Sequence, residues 1–321
     1  MRAWGVRILA GLAAIAITMA TGAMAQKPPL RLIVPFPPGG PVDFVGRVIA
    51  DGLRTQSNAA VVVDNRAGAN GALGIAALKQ AAADGTTLLV VSSGMITFSP
   101  HFEKNLPYDA ARDFAPVANA AYTDVTFVVA NNVPANDLRE FVALARSSAK
   151  PLAIGSAGQG NITHAYLELF KDAAGIDLLH VPYKGASPAL ADVMGGQIAG
   201  MFTSLSTALP GAKAGKSKLL AVIGKRSALA PQIPTITEQG FPGVEILPWF
   251  GLVALRGTPQ DIQSSLAESL RRALASDDIK GRMQGAGFTP WFLAGEDYVR
   301  MIRKESDTWQ RLIVARGLRA D

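Results

Sequence analysis

The chain has 321 residues, no cysteine, 31 Lys and Arg against 25 Asp and Glu, and a formal charge of +6. The lack of cysteine excludes a disulfide framework, thiolate chemistry and cysteine-held zinc. The positive balance is scattered. It steers weakly toward anionic ligands, and without a dense basic run or basic–aromatic interleaving it argues against nucleic acid.

From the N-terminus, MRAWGVR is followed by the apolar stretch ILAGLAAIAITMATG and by Ala23-Met24-Ala25. A basic start, a short apolar run and small residues at the −3 and −1 positions predict a secretory signal peptide, residues 1–25, cleaved after Ala25. The apolar run is short for a bilayer span of about 20 residues, and no later segment is long and apolar enough to be one. Cleavage would leave 296 residues, enough for two lobes with separate cores, and would take Arg2 and Arg7 away so that +6 becomes +4.

Short β-rich runs then alternate with amphipathic stretches, the pattern of α/β layers. Strands are expected at 30–34, 61–64, 87–92, 126–130, 152–154, 178–182, 199–203, 219–223 and 246–255, mostly apolar on both faces as in strands buried between helices. Val42, Val45, Ile49 and Leu53 repeat at helical spacing after Pro41, and Ile262, Leu266 and Leu270 do so after Thr258 and Pro259. Thr258 reads as an N-cap and Pro259 as a first-turn residue. Tyr298, Ile302, Trp309 and Ile313 mark a last helix, stopped by Gly317. No internal repeat or flexible linker is visible. Two lobes would therefore be joined by crossing strands, out near 124–131 and back near 245–255. Lobe 1 would hold residues 26–127 plus 248–321, and lobe 2 residues 128–247.

Two loops carry the chemistry. Pro35-Phe36-Pro37-Pro38-Gly39-Gly40-Pro41-Val42-Asp43 joins a buried strand to a helix, which sets free backbone N–H groups and the positive end of a helix dipole where an anion can sit. The same segment also reads as a rigid connector whose glycines only make the turn. Gly155-Ser156-Ala157-Gly158-Gln159-Gly160-Asn161-Ile162-Thr163-His164 repeats the arrangement later in the chain. One loop per lobe, facing across a cleft, suits a two-carboxylate or amino-acid ligand. Asp43 has two readings, a first-turn acid favoured by the helix dipole or a group meeting a ligand ammonium or orienting a water. Asn65 and Arg66 read as pinning the Gly-rich turn that follows them.

Other chemistries lack their motifs. Gly155, Gly158 and Gly160 form GxxGxG, the wrong order for a dinucleotide fingerprint, and no phosphate-binding GxxxxGK[ST] occurs. His101, His164 and His180 are far apart and fit no metal motif, so neither metal nor cofactor is expected. His180 reads as a satisfied strand histidine, and His164 as fixing its loop or meeting an anion. No GxSxG elbow or SxxK in a Gly-rich turn supports hydrolysis.

At these loops the chain closely resembles the Bug-type solute receptors of tripartite tricarboxylate transporters. Seven ordered blocks carry the resemblance: PFPPGGPVDFVGR (35–47), VVVDNRAGANGALG (61–74), DGTTLL (84–89), GSAGQGNITH (155–164), VPYKGASPALADVMGGQI (181–198), PTITEQGFPG (234–243) and the surroundings of Trp249. The resemblance implies a two-lobed type II periplasmic binding-protein fold with the ligand cleft between lobes joined by two crossing strands. It implies one carboxylate held by backbone groups and ordered waters of the first loop, and the other end clamped by the second lobe. By position, Phe36, Pro38, Gly39, Val42, Asp43, Ser92 and Ser93 would line one side. Gly158, Asn161, His164, Thr203 and Ser204 would line the other. Pro41 stands where the family usually has a small residue and removes an N–H donor. Asp64 replaces Glu, and Ala83 replaces the Pro before Asp84-Gly85.

The expected function is that of a monomeric periplasmic receptor, not an enzyme, handing a small carboxylate to the membrane subunits of such a transporter. The alternatives are an exported enzyme acting on a carboxylate, or a ligand sensor docking onto a membrane kinase. The first loop has no arginine to pair a second carboxylate. Among short di- and tricarboxylates, acidic amino acids and aromatic acids, the reading leans to a small dicarboxylate or amino acid.

Overall fold

Apolar runs too short for helices and flanked by turn residues form the strands, and the structure, a computed structural model, describes residues 29–57 and 60–317. The expected leader lies outside the described residues. The chain begins β1 (Leu30–Val34), α1 (Pro41–Ser57), β2 (Val61–Asn65), a tight turn Ala69–Gly71, α2 (Ala72–Lys79) and β3 (Thr87–Ser92). A wide helical turn Gly94–Phe98, α3 (Ser99–Phe102), α4 (Ala110–Asp113) and β4 (Phe114–Thr123) follow. Next come β5 (Val125–Ala130), α5 (Leu138–Ser147), β6 (Leu152–Ser156), α6 (Ile162–Ala174), β7 (Leu178–Pro182), α7 (Ala186–Met194), β8 (Gly200–Ser204), α8 (Leu205–Lys213) and β9 (Ser217–Val222). The chain closes with β10 (Trp249–Leu255), α9 (Gln260–Ala275), α10 (Asp277–Gly285), β11 (Phe288–Ala294) and α11 (Gly295–Arg316).

The strands form two mixed sheets, in the orders β11-β4-β10-β3-β1-β2 and β7-β6-β8-β5-β9. The chain leaves the first sheet after Thr123, enters the second at Val125, and returns at Trp249. In the first sheet β1 lies parallel to β2 and β3, and β10 runs antiparallel to β3 and β4. In the second, β6 lies parallel to β7 and β8, and β5 runs antiparallel to β8 and β9. The orders β2-β1-β3-β10-β4 and β7-β6-β8-β5-β9 are therefore the same pattern used twice. This repeat exists in topology and was invisible in the residues.

Two strands escaped the sequence reading. β4 (FAPVANAAYT) is rich in alanine, and β11 contains Pro290 and shifts register against β4 between Pro290 and Leu293. Thr258 does not cap α9. Its hydroxyl donates to Leu255 O at 2.8 Å, and the helix starts at Gln260 after Pro259. Gly317 ends α11 in the left-handed conformation, φ +62°.

Each sheet has its own core. In the second, Phe127 is surrounded by Phe141, Phe170 and Phe202 with ring centroids 4.8–5.4 Å away. Phe98, Phe102, Trp309 and Ile313, which come from segments flanking the first sheet, pack into that same cluster. The other end of α11, at Tyr298, packs with the first sheet. Below the first sheet, α1 lies so close to α9 that a Cβ on Gly52 would come within 2.5 Å of Ala273 Cβ.

That contact reverses a usual preference. Gly→Ala inside a helix normally stabilises by about 0.5–1 kcal/mol. Gly52→Ala should instead cost about 1–3 kcal/mol through overpacking, read as a lower urea midpoint. A raised midpoint would show that the α1–α9 approach is not set by this glycine.

Candidate functional site

In a parallel sheet of order 2-1-3, successive connections leave β1 and β3 in opposite directions and open a crevice at their carboxyl ends, where ligands bind. Here each sheet has such a point, between β1 and β3 and between β6 and β8. The residues singled out from sequence fall at these points. Phe36, Pro38, Gly39, Val42 and Asp43 follow β1, Ser92 ends β3 and Ser93 follows it. Gly158, Asn161 and His164 follow β6, and Thr203 and Ser204 end β8.

The two points meet. A Cβ on Gly94, just past β3, would lie 3.5 Å from Ile162 Cβ at the head of α6. One on Gly160 would lie 3.2 Å from Phe102 and from Glu103 Oε1. Phe102 also meets His164 edge-on at 5.4 Å.

The first loop is held by Asp43. Its Oδ2 accepts from Gly39 N–H and from Arg47 Nε, each at 2.9 Å, and its Oδ1 accepts from Asn65 Nδ2 at 2.9 Å. Asn65 Nδ2 also donates to Phe36 O at 3.1 Å. Burial alone would raise the Asp43 pKa, but the bonds from Arg47, Gly39 and Asn65 outweigh it and hold the carboxyl below its ordinary value. Both oxygens thus serve the loop itself, which favours the structural reading of this acid. Asn65 pins the loop before it, and not the turn after it, while Arg66 pairs with Asp64. Pro38 and Gly39 are exposed, Phe36 is half-buried, and Val42 points into the core. Phe44 N–H donates back to Gly40 O at 2.9 Å, and Pro41 has no N–H. The amides of Val42 and Asp43, with no carbonyl one turn earlier in the helix, head α1 toward the loop. Ser93, wholly buried just after β3, has a hydroxyl with no partner.

The second loop is held by other means. Asn161 caps α6, its Oδ1 accepting from Thr163 N–H at 3.1 Å, and Thr163 Oγ1 accepts from Ala157 N–H at 2.8 Å. Ser156 Oγ lies 2.7 Å from His180 Nε2, 3.1 Å from Gly158 O and 3.2 Å from Gly158 N. Folding thus brings a serine and a histidine together, but Ser156 is fully buried and its hydroxyl is engaged with Gly158, whereas a nucleophile must reach its substrate. His180 stacks on His164 at 3.8 Å, with the rings 6° from parallel. His164 Nε2 lies 3.7 Å from Glu168, which also pairs with Lys171. Burial lowers both imidazole pKa values to about 4, the Lys171 charge acts in the same direction on both, and on His180 the neighbouring His164 adds to it while Glu168 opposes it. Thr203 is buried, and Ser204 Oγ lies 2.6 Å from Thr207 Oγ1. His101 is elsewhere, bonded to Ser306. Among the described residues no cluster of three or more His, Asp or Glu could hold a metal ion.

The part that sequence reasoning missed is the supporting shell. Asn65, Ser156 and His180 fix the two loops, and their partners lie 22 and 24 residues away in the chain.

Comparison with known proteins agrees with this geometry. A profile of the tripartite tricarboxylate transporter family receptor matches residues 45–318. Protein BugT of Bordetella pertussis is 30% identical over 316 residues, 95% of this chain and 97% of its own. The structure of R. palustris Rpa4515 with adipate superposes with a TM-score of 0.83 at 30% identity, covering 91% of this chain and 98% of that one. That of MatC from Rhodopseudomonas palustris with bound malate gives 0.80 at 29%, covering 89% and 99%.

Two outcomes follow from the supporting shell. Asp43→Ala should cost about 1–3 kcal/mol, because Gly39, Arg47 and Asn65 lose their acceptor, and a chemical melt measures this. The histidines titrate near 6.5 when unfolded and near 4 when folded, so the stability they confer is present above pH 6.5 and lost as the pH falls toward 4. His180→Gln should flatten that part of the stability curve. An unchanged slope would remove the stacked pair as its cause.

Proposed function

The chain belongs to the receptor family of the tripartite tricarboxylate transporters, and from that premise we propose that it is a periplasmic receptor that closes around a small carboxylate and delivers it to the membrane subunits of such a transporter. Residues 1–25 serve as the export signal, and the protein acts as a monomer and without turnover. Lobe 1 is built on the first sheet, residues 26–127 plus 248–321, and lobe 2 on the second, residues 128–247. The observation that carries the reading is the meeting of two equivalent switch points, each headed by a helix N-terminus and a glycine loop, across the Gly94–Ile162 contact.

One carboxylate is taken by the amides that head α1, together with Phe36, Pro38 and Gly39, while Val42 and Asp43 keep that helix end in place. Ser92 and Ser93 complete this side, and the free Ser93 hydroxyl supplies a donor. The other end of the ligand meets Gly158, Asn161 and His164 with Thr203 and Ser204. His164 is neutral at physiological pH and offers a hydrogen bond, not a charge. No arginine stands in either loop, so recognition rests on backbone dipoles, which are strong where water is excluded. The adipate and malate held by two structural neighbours support a short dicarboxylate as the ligand class.

Purified mature protein should gain about 2.7 kcal/mol of stability at roughly 100 times the dissociation constant of a true ligand, seen as a rise in melting temperature with malate, adipate or an acidic amino acid. The ligand should be recovered unchanged. Ser93→Ala should weaken binding several-fold, up to about tenfold, by one hydrogen bond. Conversion of the acid would make the protein an enzyme and overturn the proposal.

A further inference from the structure

Glu305 lies on α11, where that helix passes from one core to the other. Its Oε1 is 2.7 Å from Thr97 Oγ1, and its Oε2 accepts from Trp249 Nε1–H at 2.7 Å. Thr97, fully buried in the turn after β3, also places its Oγ1 2.8 Å from Ser93 O. Trp249 opens the strand by which the chain returns to the first sheet. The three bonds therefore join the long shared helix, the returning strand and the segment that begins with Ser93.

Counting protons decides the chemistry. Thr97 has one hydroxyl proton but two oxygen neighbours at bonding distance, Ser93 O and Glu305 Oε1. A carbonyl oxygen can only accept, and an ionised carboxylate can only accept. If Glu305 were ionised, Thr97 could serve one of them and would repel the other at under 3 Å. If Glu305 carries a proton, it donates to Thr97 Oγ1, Thr97 donates to Ser93 O, and Oε2 remains free to accept from Trp249.

We propose that Glu305 is a protonated positioning residue, whose carboxylic acid proton completes a chain through Thr97 to the Ser93 carbonyl and thereby fixes the turn that presents Ser93 to the ligand.

The surroundings agree. Among the described residues no Lys, Arg or His makes an ion pair with Glu305, and a desolvated carboxyl without a counter-charge favours its neutral form. Loss of hydration is the largest influence on its acidity and raises its pKa above the ordinary value, although Thr97, Trp249 and Trp309 pull the other way. The residue as a whole is half-buried. The titratable groups that act on it electrostatically are the Tyr166 phenol on α6, which donates to Ile246 O, and the Tyr298 phenol on α11. Both are neutral. His101 is turned to Ser306.

The consequence for binding rests on the receptor reading, but the protonation does not, and the test separates them. Infrared difference spectra between wild type and Glu305→Gln near pH 6 should show a protonated-acid carbonyl band that the variant lacks. A carboxylate band in its place would overturn the proposal. Because the acid is stabilised in its neutral form, its contribution to stability is full at low pH and is lost as the pH rises through its folded pKa. The Gln variant, whose amide can donate to Thr97 and accept from Trp249, should lack this loss. With malate and adipate as probes, Glu305→Gln should bind within about twofold of wild type, while Glu305→Ala and Thr97→Val should weaken binding up to about tenfold. Equal weakening by Gln and Ala would also overturn it. If wild type binds neither probe, the receptor reading is what fails, and the infrared result still decides Glu305.

Discussion

A helix N-terminus serves as an anion cradle only while the loop before it stays open and ordered, and here that condition is met by one buried carboxylate. Asp43 receives Gly39, Arg47 and Asn65, and Asn65 in turn holds the Phe36 carbonyl. A loop with three prolines and two glycines is thereby tied at both ends to a helix and to a neighbouring strand. Ordering it at the moment of binding would subtract from affinity, so tying it in advance preserves what the backbone amides can contribute.

The second sheet meets the same requirement with different residues. Its strand order repeats that of the first, and its loop after β6 corresponds to the loop after β1. Where the first half uses an acid and an amide, the second uses an asparagine cap, a threonine and a serine tied to a histidine. The physical task is constant while the chemistry is not. This is why a duplicated topology leaves no repeat in the residues. It also makes the two ends unequal. The acid at the first loop is neutralised by Arg47, and the imidazoles behind the second are uncharged near neutral pH.

The parts of this arrangement that were legible in the sequence are those written locally. Apolar runs between turn residues placed β1, β3 and β7 with their observed ends, and a strand followed by glycines and a helix marked both loops. β4 was not legible, because alanines carry little strand signal and its place is set by pairing with β10 and β11. Asn65 was assigned to the wrong turn, and the loop that His180 satisfies itself against was not named, for a related reason. Each acts on a loop that precedes it by more than twenty residues, and only the parallel pairing of β1 with β2 and of β6 with β7 brings them there. The reading of Asp43 stayed double because a first-turn acid looks the same whether it caps or binds. The difference lies in Gly39, Arg47 and Asn65 arriving together.

The way the two halves are joined bears on what a ligand must do. The passage out of the first sheet turns on Asp124, which holds Ser227, and Gly287 fits against Ser206 so tightly that a Cβ there would come within 2.4 Å of it. Phe98, Phe102 and Trp309 lie between the halves, buried in the core of the second sheet. Drawing Gly94 away from Ile162 would expose part of this aromatic surface, and a fully exposed ring of that size costs about 1.5–3 kcal/mol. The approach of the two loops is thus favoured in part by packing behind them. A ligand can shift such an equilibrium only by the difference in its affinity for the two arrangements, and the aromatic packing between the halves favours the near arrangement before any ligand is considered. In the proposed receptor this packing would help the halves close around a ligand that offers few polar handles. That would suit the proposed site of backbone amides and neutral side chains, whose two loops carry no arginine to drive closure.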